Sequence, residues 1–233
     1  MLAERKDKKR FVKEKFSAVV RRYDLVNTIT SFGIDHLWRQ RAARELYHYQ
    51  GPILDLCAGT LPLALELVRQ RPREVIAVDF CYEMLAYGKA RLKTDSQEDL
   101  ILSVCGDGER LPLEDECVWG ATVAFGIRNL SRPDKGLSEM HRVLKPRGKV
   151  VILEFSRPKG LFRGLYRFYL SHILPKVAGI ISGDEEAYRY LASSIWAFPE
   201  PTRFAFMMEE VGFKEVSHRP LTMGIVTIYT GIK

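Results

Sequence analysis

The stretch ILDLCAGTLPLALELVRQRPREVIAVDF, from Ile53 to Phe80, limits the folds open to this chain more than any other segment. Ile53 to Leu56 is a short apolar run suited to a buried parallel strand. Ala58-Gly59-Thr60 is a small-residue turn, and Leu61 to Val68 repeats apolar residues at helical spacing. A second strand, Val75 to Val78, delivers Asp79. In a parallel sheet both strands end at one edge, so Gly59 and Asp79 fall beside a common crevice. A carboxylate there can accept from both hydroxyls of a ribose, so the segment predicts a nucleotide site.

The glycines decide which nucleotide. A dinucleotide fingerprint wants G-x-G-x-x-G, whose second glycine lets the backbone approach a pyrophosphate. Here Gly59 stands alone before Thr60, Leu61 and Pro62, which argues against NAD and leaves S-adenosylmethionine or a structural βαβ unit with an incidental acid.

The alternation continues. Helices are predicted over Glu83 to Leu92 and Pro133 to Leu144, and strands over Leu100 to Cys105, Cys117 to Phe125 and Lys149 to Phe155. Pro146-Arg147-Gly148 reads as the turn before the last of these. A basic amphipathic helix, helices near Glu185 to Ser193 and Pro201 to Val211, and strands near Lys214 to His218 and Ile225 to Tyr229 complete the chain. Seven strands with helices between them predict an α/β fold with a mostly parallel sheet covered on both faces. With 233 residues and 46% apolar content, one domain is expected: a helical region over 1–50, a cofactor-binding core over 51–156, a helical lid or membrane-facing insertion over 157–200, and a closing helix and strands over 201–233.

Charge is uneven. The chain is net +7, yet residues 1–22 alone carry +6 and residues 157–176 carry +5. In the second segment Leu161, Phe162, Leu165, Phe168, Tyr169, Ile173 and Leu174 interleave with Arg163, Arg167 and Lys176, as in helices that lie on anionic membranes. Packing on the core is the alternative. No nucleic-acid-binding pattern accompanies the charge, so none is expected as a partner. No apolar run is long enough to span a bilayer, and no secretory leader follows the basic start, which predicts a cytoplasmic protein. Cys57, Cys81, Cys105 and Cys117 have no metal-ligand spacing and are expected to be reduced and mostly buried. His36, His141 and His172 are scattered, so no metal is expected.

Three blocks resemble the ubiquinone/menaquinone biosynthesis C-methyltransferases (UbiE type), a family within the Rossmann-like S-adenosylmethionine-dependent methyltransferases. They are YDLVNTITSFGIDHLWR from Tyr23, FGIRNLSRPDKGLSEMHRVLKPRGKVVILEFSRP from Phe125, and DEEAYRYLASSI from Asp184. The RVLKPRG turn is common to many methyltransferases; FGIRN with LEFS and YRYL is more specific. The resemblance implies methylation of a polyprenyl quinol ring by S-adenosylmethionine, at the inner face of a membrane. It places Asp55, Gly59 and Thr60 at the cofactor turn, Asp79 on the ribose, and Asp107 with Gly108 beside the adenine. It implicates Arg128, Asn129 and Tyr23 in activating the substrate. A homodimer is among the assemblies expected. In two places the chain departs from the family pattern: Leu61 replaces a glycine, putting a side chain near the expected cofactor, and Ala124 replaces a serine.

The chemistry fits an arginine. A quinol carbon becomes strongly nucleophilic when a ring hydroxyl ionises, and a phenol titrating near 10 costs roughly 4 kcal/mol to ionise at neutral pH. A guanidinium stays charged when desolvated and stabilises a phenolate, so Arg128 is assigned that role, with the proton acceptor open between water and a neighbouring group. The competing role for Arg128 is capping the helix after Pro133. Two other functions stay open: methylation of a soluble phenol, and a non-catalytic partner that retains the fold.

Overall fold

The computed structural model describes residues 2–92 and 98–233. Helices α1 (Leu2–Thr30) and α2 (Ile34–Arg44) precede β1 (Ile53–Leu56), α3 (Pro62–Gln70), β2 (Val75–Asp79), α4 (Tyr82–Leu92), β3 (Ile101–Cys105), β4 (Val118–Ala124), α5 (Pro133–Val143) and β5 (Leu144–Phe155). Then follow α6 (Phe162–Phe168), a π-helical turn (Tyr169–Ile173), α7 (Leu174–Ser182), α8 (Glu185–Ala197), α9 (Pro201–Val211), β6 (Lys214–Leu221) and β7 (Val226–Ile232). The strands form one seven-stranded sheet in the order β3-β2-β1-β4-β5-β7-β6, in which β7 alone runs antiparallel to its neighbours.

Side chains alternate across each strand, so successive residues serve opposite faces. Ile53 of β1 joins a core with α2, α3 and α4 residues such as Trp38, Leu67 and Leu85. Leu54 and Leu56 join a second core with Leu137 and Met140 of α5 and Phe204 of α9. Helices therefore cover both faces, and this is the Rossmann-like α/β fold. A third cluster packs Val26 of α1 against Tyr166, Leu170, Leu174, Tyr188 and Ile195.

Four expectations are corrected. Helix α3 begins at Pro62, and Leu61 sits before it with φ +69. The Pro146-Arg147-Gly148 turn lies inside β5, as a bulge between the pairs Val118–Leu144 and Gly120–Lys149. The basic segment is helical but not a plain α-helix: it passes through the π-helical turn Tyr169–Ile173 just before Pro175, which has no N–H to donate to the preceding turn. Of the four cysteines, Cys81 is buried, Cys57 and Cys117 are half-buried, and Cys105 is exposed. Part of the amino-terminal charge also faces inward: Lys9 pairs with Asp107 and Glu109, and Lys15 with Asp184 and Glu186.

Candidate active site

The sheet order reverses between β1 and β4, so the carboxyl ends of β1 to β4 frame a crevice. A cavity of about 110 Å³ lies there, and all six residues assigned to the cofactor line it: Asp55, Gly59, Thr60, Asp79, Asp107 and Gly108. Gly59 takes φ +55 and donates its N–H to Asp79 Oδ2 at 2.8 Å, while the Cys81 N–H donates to Oδ1 at 2.8 Å. Both carboxylate oxygens are thereby aimed and still have lone pairs for hydroxyl donors. Burial pushes Asp79 up, against these hydrogen bonds. Asp55 is 1% exposed. It accepts the Ala64 N–H at the start of α3, but its Oδ2 has no partner. Burial, with a smaller contribution from Asp79, pushes it up to about 8.

The other polar groups lining this cavity are held by the elements around them. Thr60 Oγ1 donates to Asp24 Oδ1 at 2.7 Å, tying the turn to α1. Asp107 Oδ1 accepts the Glu109 N–H and its Oδ2 accepts Lys9 Nζ at 2.7 Å. Lys8 Nζ donates to the carbonyls of Arg128 and Leu130, so α1 lies along the rim. At Gly126 a Cβ would stand 2.3 Å from Cys57 Cβ, so only glycine lets the ends of β4 and β1 meet. Ala124 lines the cavity and Leu61 does not. The Leu61 side chain turns into the core, 1% exposed, against Gly88 of α4. The expectation that it crowds the cofactor is therefore corrected, because its left-handed backbone points it the other way.

A second cavity of about 400 Å³ adjoins the first and shares Tyr23, Arg39, Phe125 and Asn129 with it. Arg128 lines the larger one only, and does not cap α5, whose N-cap is Arg132. Its Nη1 donates to Glu154 Oε1 at 2.7 Å and to the Phe125 carbonyl, and its Nε to Ser194 Oγ at 3.3 Å. Burial raises Glu154 and the Arg128 charge opposes that. Sequence reasoning quoted Glu154 in LEFS without giving it a role; the available signal was an acid inside the apolar strand VVILEF. Asn129 Oδ1 accepts the Tyr190 hydroxyl at 3.3 Å. Burial pushes the Tyr23 phenol up, with Arg128 the main opposing influence. The structure thus brings Tyr23, Arg128 and Asn129 to one cavity. Among the described residues no group of three or more His, Cys, Asp or Glu could hold a metal ion.

A doubly wound sheet of this order, with a glycine turn after β1 and an acid closing β2, defines the class of Rossmann-like S-adenosylmethionine-dependent methyltransferases. An S-adenosylmethionine-dependent methyltransferase from Thermotoga maritima has a similar fold, with a TM-score of 0.67 at 17% identity, covering 94% of this chain and 99% of that one. The chain belongs to the ubiE/COQ5 methyltransferase family, whose model matches residues 2–233, and is an S-adenosylmethionine-dependent C-methyltransferase. The ubiquinone/menaquinone biosynthesis C-methyltransferase UbiE of Geotalea daltonii is 42% identical, over 95% of this chain and 96% of that protein. The demethylmenaquinone methyltransferase of Deinococcus radiodurans is 41% identical, over 100% and 96%.

Proposed function

We propose that the chain transfers a methyl group from S-adenosylmethionine to a ring carbon of a polyprenyl quinol, demethylmenaquinol or the related benzoquinol. The observation that carries this reading is the pair of cavities with a common wall at Tyr23, Arg39, Phe125 and Asn129. A methyl donor on one side and a flat ring on the other can be aligned there, and in-line transfer needs mostly alignment and a dry site. The names of the relatives, which specify menaquinone and ubiquinone biosynthesis, support the substrate class.

The smaller cavity suits the cofactor, because it offers an aimed carboxylate for hydroxyl donors and an orphaned carboxyl oxygen on Asp55 for a cationic group. Bound there, S-adenosylmethionine supplies an electrophilic methyl on a sulfonium. Asp79 would hold the ribose, and Gly108 with Asp107 would flank the adenine. In the larger cavity Arg128, positioned by Glu154, stabilises negative charge developing on the ring. Tyr23 and Asn129 orient the ring and any water that removes its proton. The ring carbon would take the methyl that the sulfonium supplies, leaving a neutral sulfide, and the proton on that carbon would then leave to restore aromaticity.

Residues 157–200 form a lid of one methyltransferase domain in this account. Phe32, Leu165, Phe168 and Ile173 are exposed and also line the larger cavity, giving an apolar rim through which a polyprenyl tail can pass. With Arg163 and Arg167 beside it, that rim suits peripheral binding to an anionic bilayer. Among the described residues no helix is long and apolar enough to cross a membrane. Mass spectrometry of quinones from cells lacking the gene tests the reading. Accumulation of the demethylated quinone supports it, and an unchanged quinone profile counts against it.

A further inference from the structure

The wall between the two cavities contains a buried cation, Arg39. Arg39, on α2, is 7% exposed and lines both cavities. One end of its guanidinium is occupied, with Nη1 donating to Asp35 Oδ2 one helical turn back. Asp35 is itself held by Ser31 Oγ at 3.0 Å. The Arg39 Nε–H, by contrast, is buried with no acceptor. A buried donor left without a partner costs free energy that a bound acceptor would recover.

The surroundings indicate what that acceptor is. The Arg39 guanidinium lies 5.4 Å from the centre of the Phe125 ring, the Phe125 and Phe155 rings lie 4.5 Å apart and tilted by 34°, and the Arg128 guanidinium lies 5.2 Å from Phe155. Two cations therefore sit at either end of a run of aromatic contacts along the wall of the larger cavity. A quinol carries two oxygens on opposite sides of its ring. The carbon to be methylated is next to one of them, so that oxygen must lie near the methyl donor, at the common wall. Arg39 is on that wall; Arg128 lines the larger cavity alone. Arg128 Nη1 and Nε are also already engaged by Glu154, the Phe125 carbonyl and Ser194.

We propose that Arg39 is a catalytic residue whose guanidinium donates to the ionised ring oxygen adjacent to the methylated carbon. The inference rests on the quinol reading above. Arg39 then stabilises the nucleophile, while Arg128 acts on the far side of the ring. Tyr23 lines both cavities and feels the charge of both arginines.

The test uses the whole protein, a short-tailed soluble quinol, and the variants Arg39→Gln and Arg39→Lys. Turnover is measured against pH at saturating cofactor. Affinities are measured for S-adenosylhomocysteine and for 5′-methylthioadenosine, which lacks the amino-acid carboxylate. Arg39→Gln should move the acid limb of the turnover profile upward by about one unit or more, a roughly tenfold loss at a pH below that limb. Arg39→Lys should restore part of it, and both nucleoside affinities should stay within about threefold. An unmoved acid limb overturns the proposal. So does a loss of S-adenosylhomocysteine affinity with 5′-methylthioadenosine unaffected, since Arg39 would then hold the cofactor's carboxylate. Should Arg39→Gln fail to fold, the absorbance of bound 1-naphthol decides between wild type and Arg39→Lys: a higher ionised fraction on wild type supports the proposal, and equal fractions refute it. A wild-type protein that methylates no quinol refutes the quinol reading itself, a result separate from any difference between variants.

Discussion

Arg128 Nη1 lies 2.7 Å from Glu154 Oε1, with the two side chains 4% and 0% exposed. The cation assigned to the ring is therefore half of a buried ion pair, and its position depends on an acid in the neighbouring strand β5. Removing one member of such a pair leaves an uncompensated buried charge, at a cost of about 3 to 5 kcal/mol. Glu154→Gln should lower the unfolding free energy toward that range, as read by denaturant titration. A change below about 1 kcal/mol, the scale of an exposed pair, would mean the two charges are not sealed together.

Arg128→Lys separates chemistry from binding. Lysine keeps the charge but loses the planar fork that reaches Glu154, the Phe125 carbonyl and Ser194 together. Turnover should fall far more than cofactor affinity, since the lost interaction belongs to the transition state. Equal losses in both constants would make Arg128 a cofactor or purely structural residue.

Asp79→Ala should weaken S-adenosylmethionine by roughly 2 to 4 kcal/mol through loss of charge-assisted hydrogen bonds. Part of the loss would come from the turn itself, because Asp79 also holds the Gly59 and Cys81 N–H groups. Calorimetry on a folded variant with unchanged affinity would remove Asp79 from the site.

Leu61→Gly should trade two effects. Glycine relieves a left-handed backbone, worth about 1 kcal/mol, but empties a core position whose loss costs about 2 to 5 kcal/mol. The protein should be destabilised overall, with cofactor affinity retained in the folded fraction. A large loss of affinity without loss of stability would mean that Leu61 touches the cofactor.

Asp55 should link cofactor binding to pH. Burial holds it at about 8, against about 3.9 in the unfolded chain. Between those values the folded state binds the extra proton, so this group's contribution is fully present in acid and is lost as pH rises through 8. A cationic cofactor favours the carboxylate, so binding should release a proton near neutrality and tighten by up to about tenfold per pH unit below 8. Asp79 is raised as well and acts in the same direction. Calorimetry in buffers of different ionisation enthalpy counts the protons, and Asp55→Asn should reduce the count. Release unchanged by that substitution would place the cofactor's charge elsewhere.

The membrane reading predicts salt-sensitive binding to anionic liposomes. Arg163 and Arg167 are exposed, each 5.7 Å from the Trp196 ring. Basic groups near an anionic surface contribute about 1 kcal/mol each. Replacing both by Glu should weaken co-sedimentation steeply while sparing turnover of a short-tailed quinol. Equal binding to neutral and anionic vesicles at low salt would leave residues 157–176 as an internal lid.

What the sequence disclosed follows from the range of the interactions involved. The unit from Ile53 to Asp79 was legible because strand, glycine turn, helix and acid are local signals, and parallel pairing brings them to one edge. Leu61 was misjudged because a φ of +69 on leucine leaves no mark in the sequence. The roles of Lys8, Lys9 and Lys15 were hidden because their partners lie about a hundred residues or more away. Glu154 and Arg39 were within quoted motifs, yet only the fold shows that one is sealed against Arg128 and the other retains a spare donor.

Methyl transfer to a quinol should take place across the wall shared by the two cavities. Its most direct measurement is mass spectrometry of quinones after purified protein is incubated with isotopically labelled S-adenosylmethionine and a polyprenyl demethylnaphthoquinol or the corresponding benzoquinol in reduced, anionic liposomes. One labelled methyl should appear on a ring carbon, formed by the wild type and sharply reduced by Arg128→Lys and by Asp79→Ala. Absence of labelled quinol from folded protein that binds the cofactor, or label on a ring oxygen instead of a carbon, would contradict it.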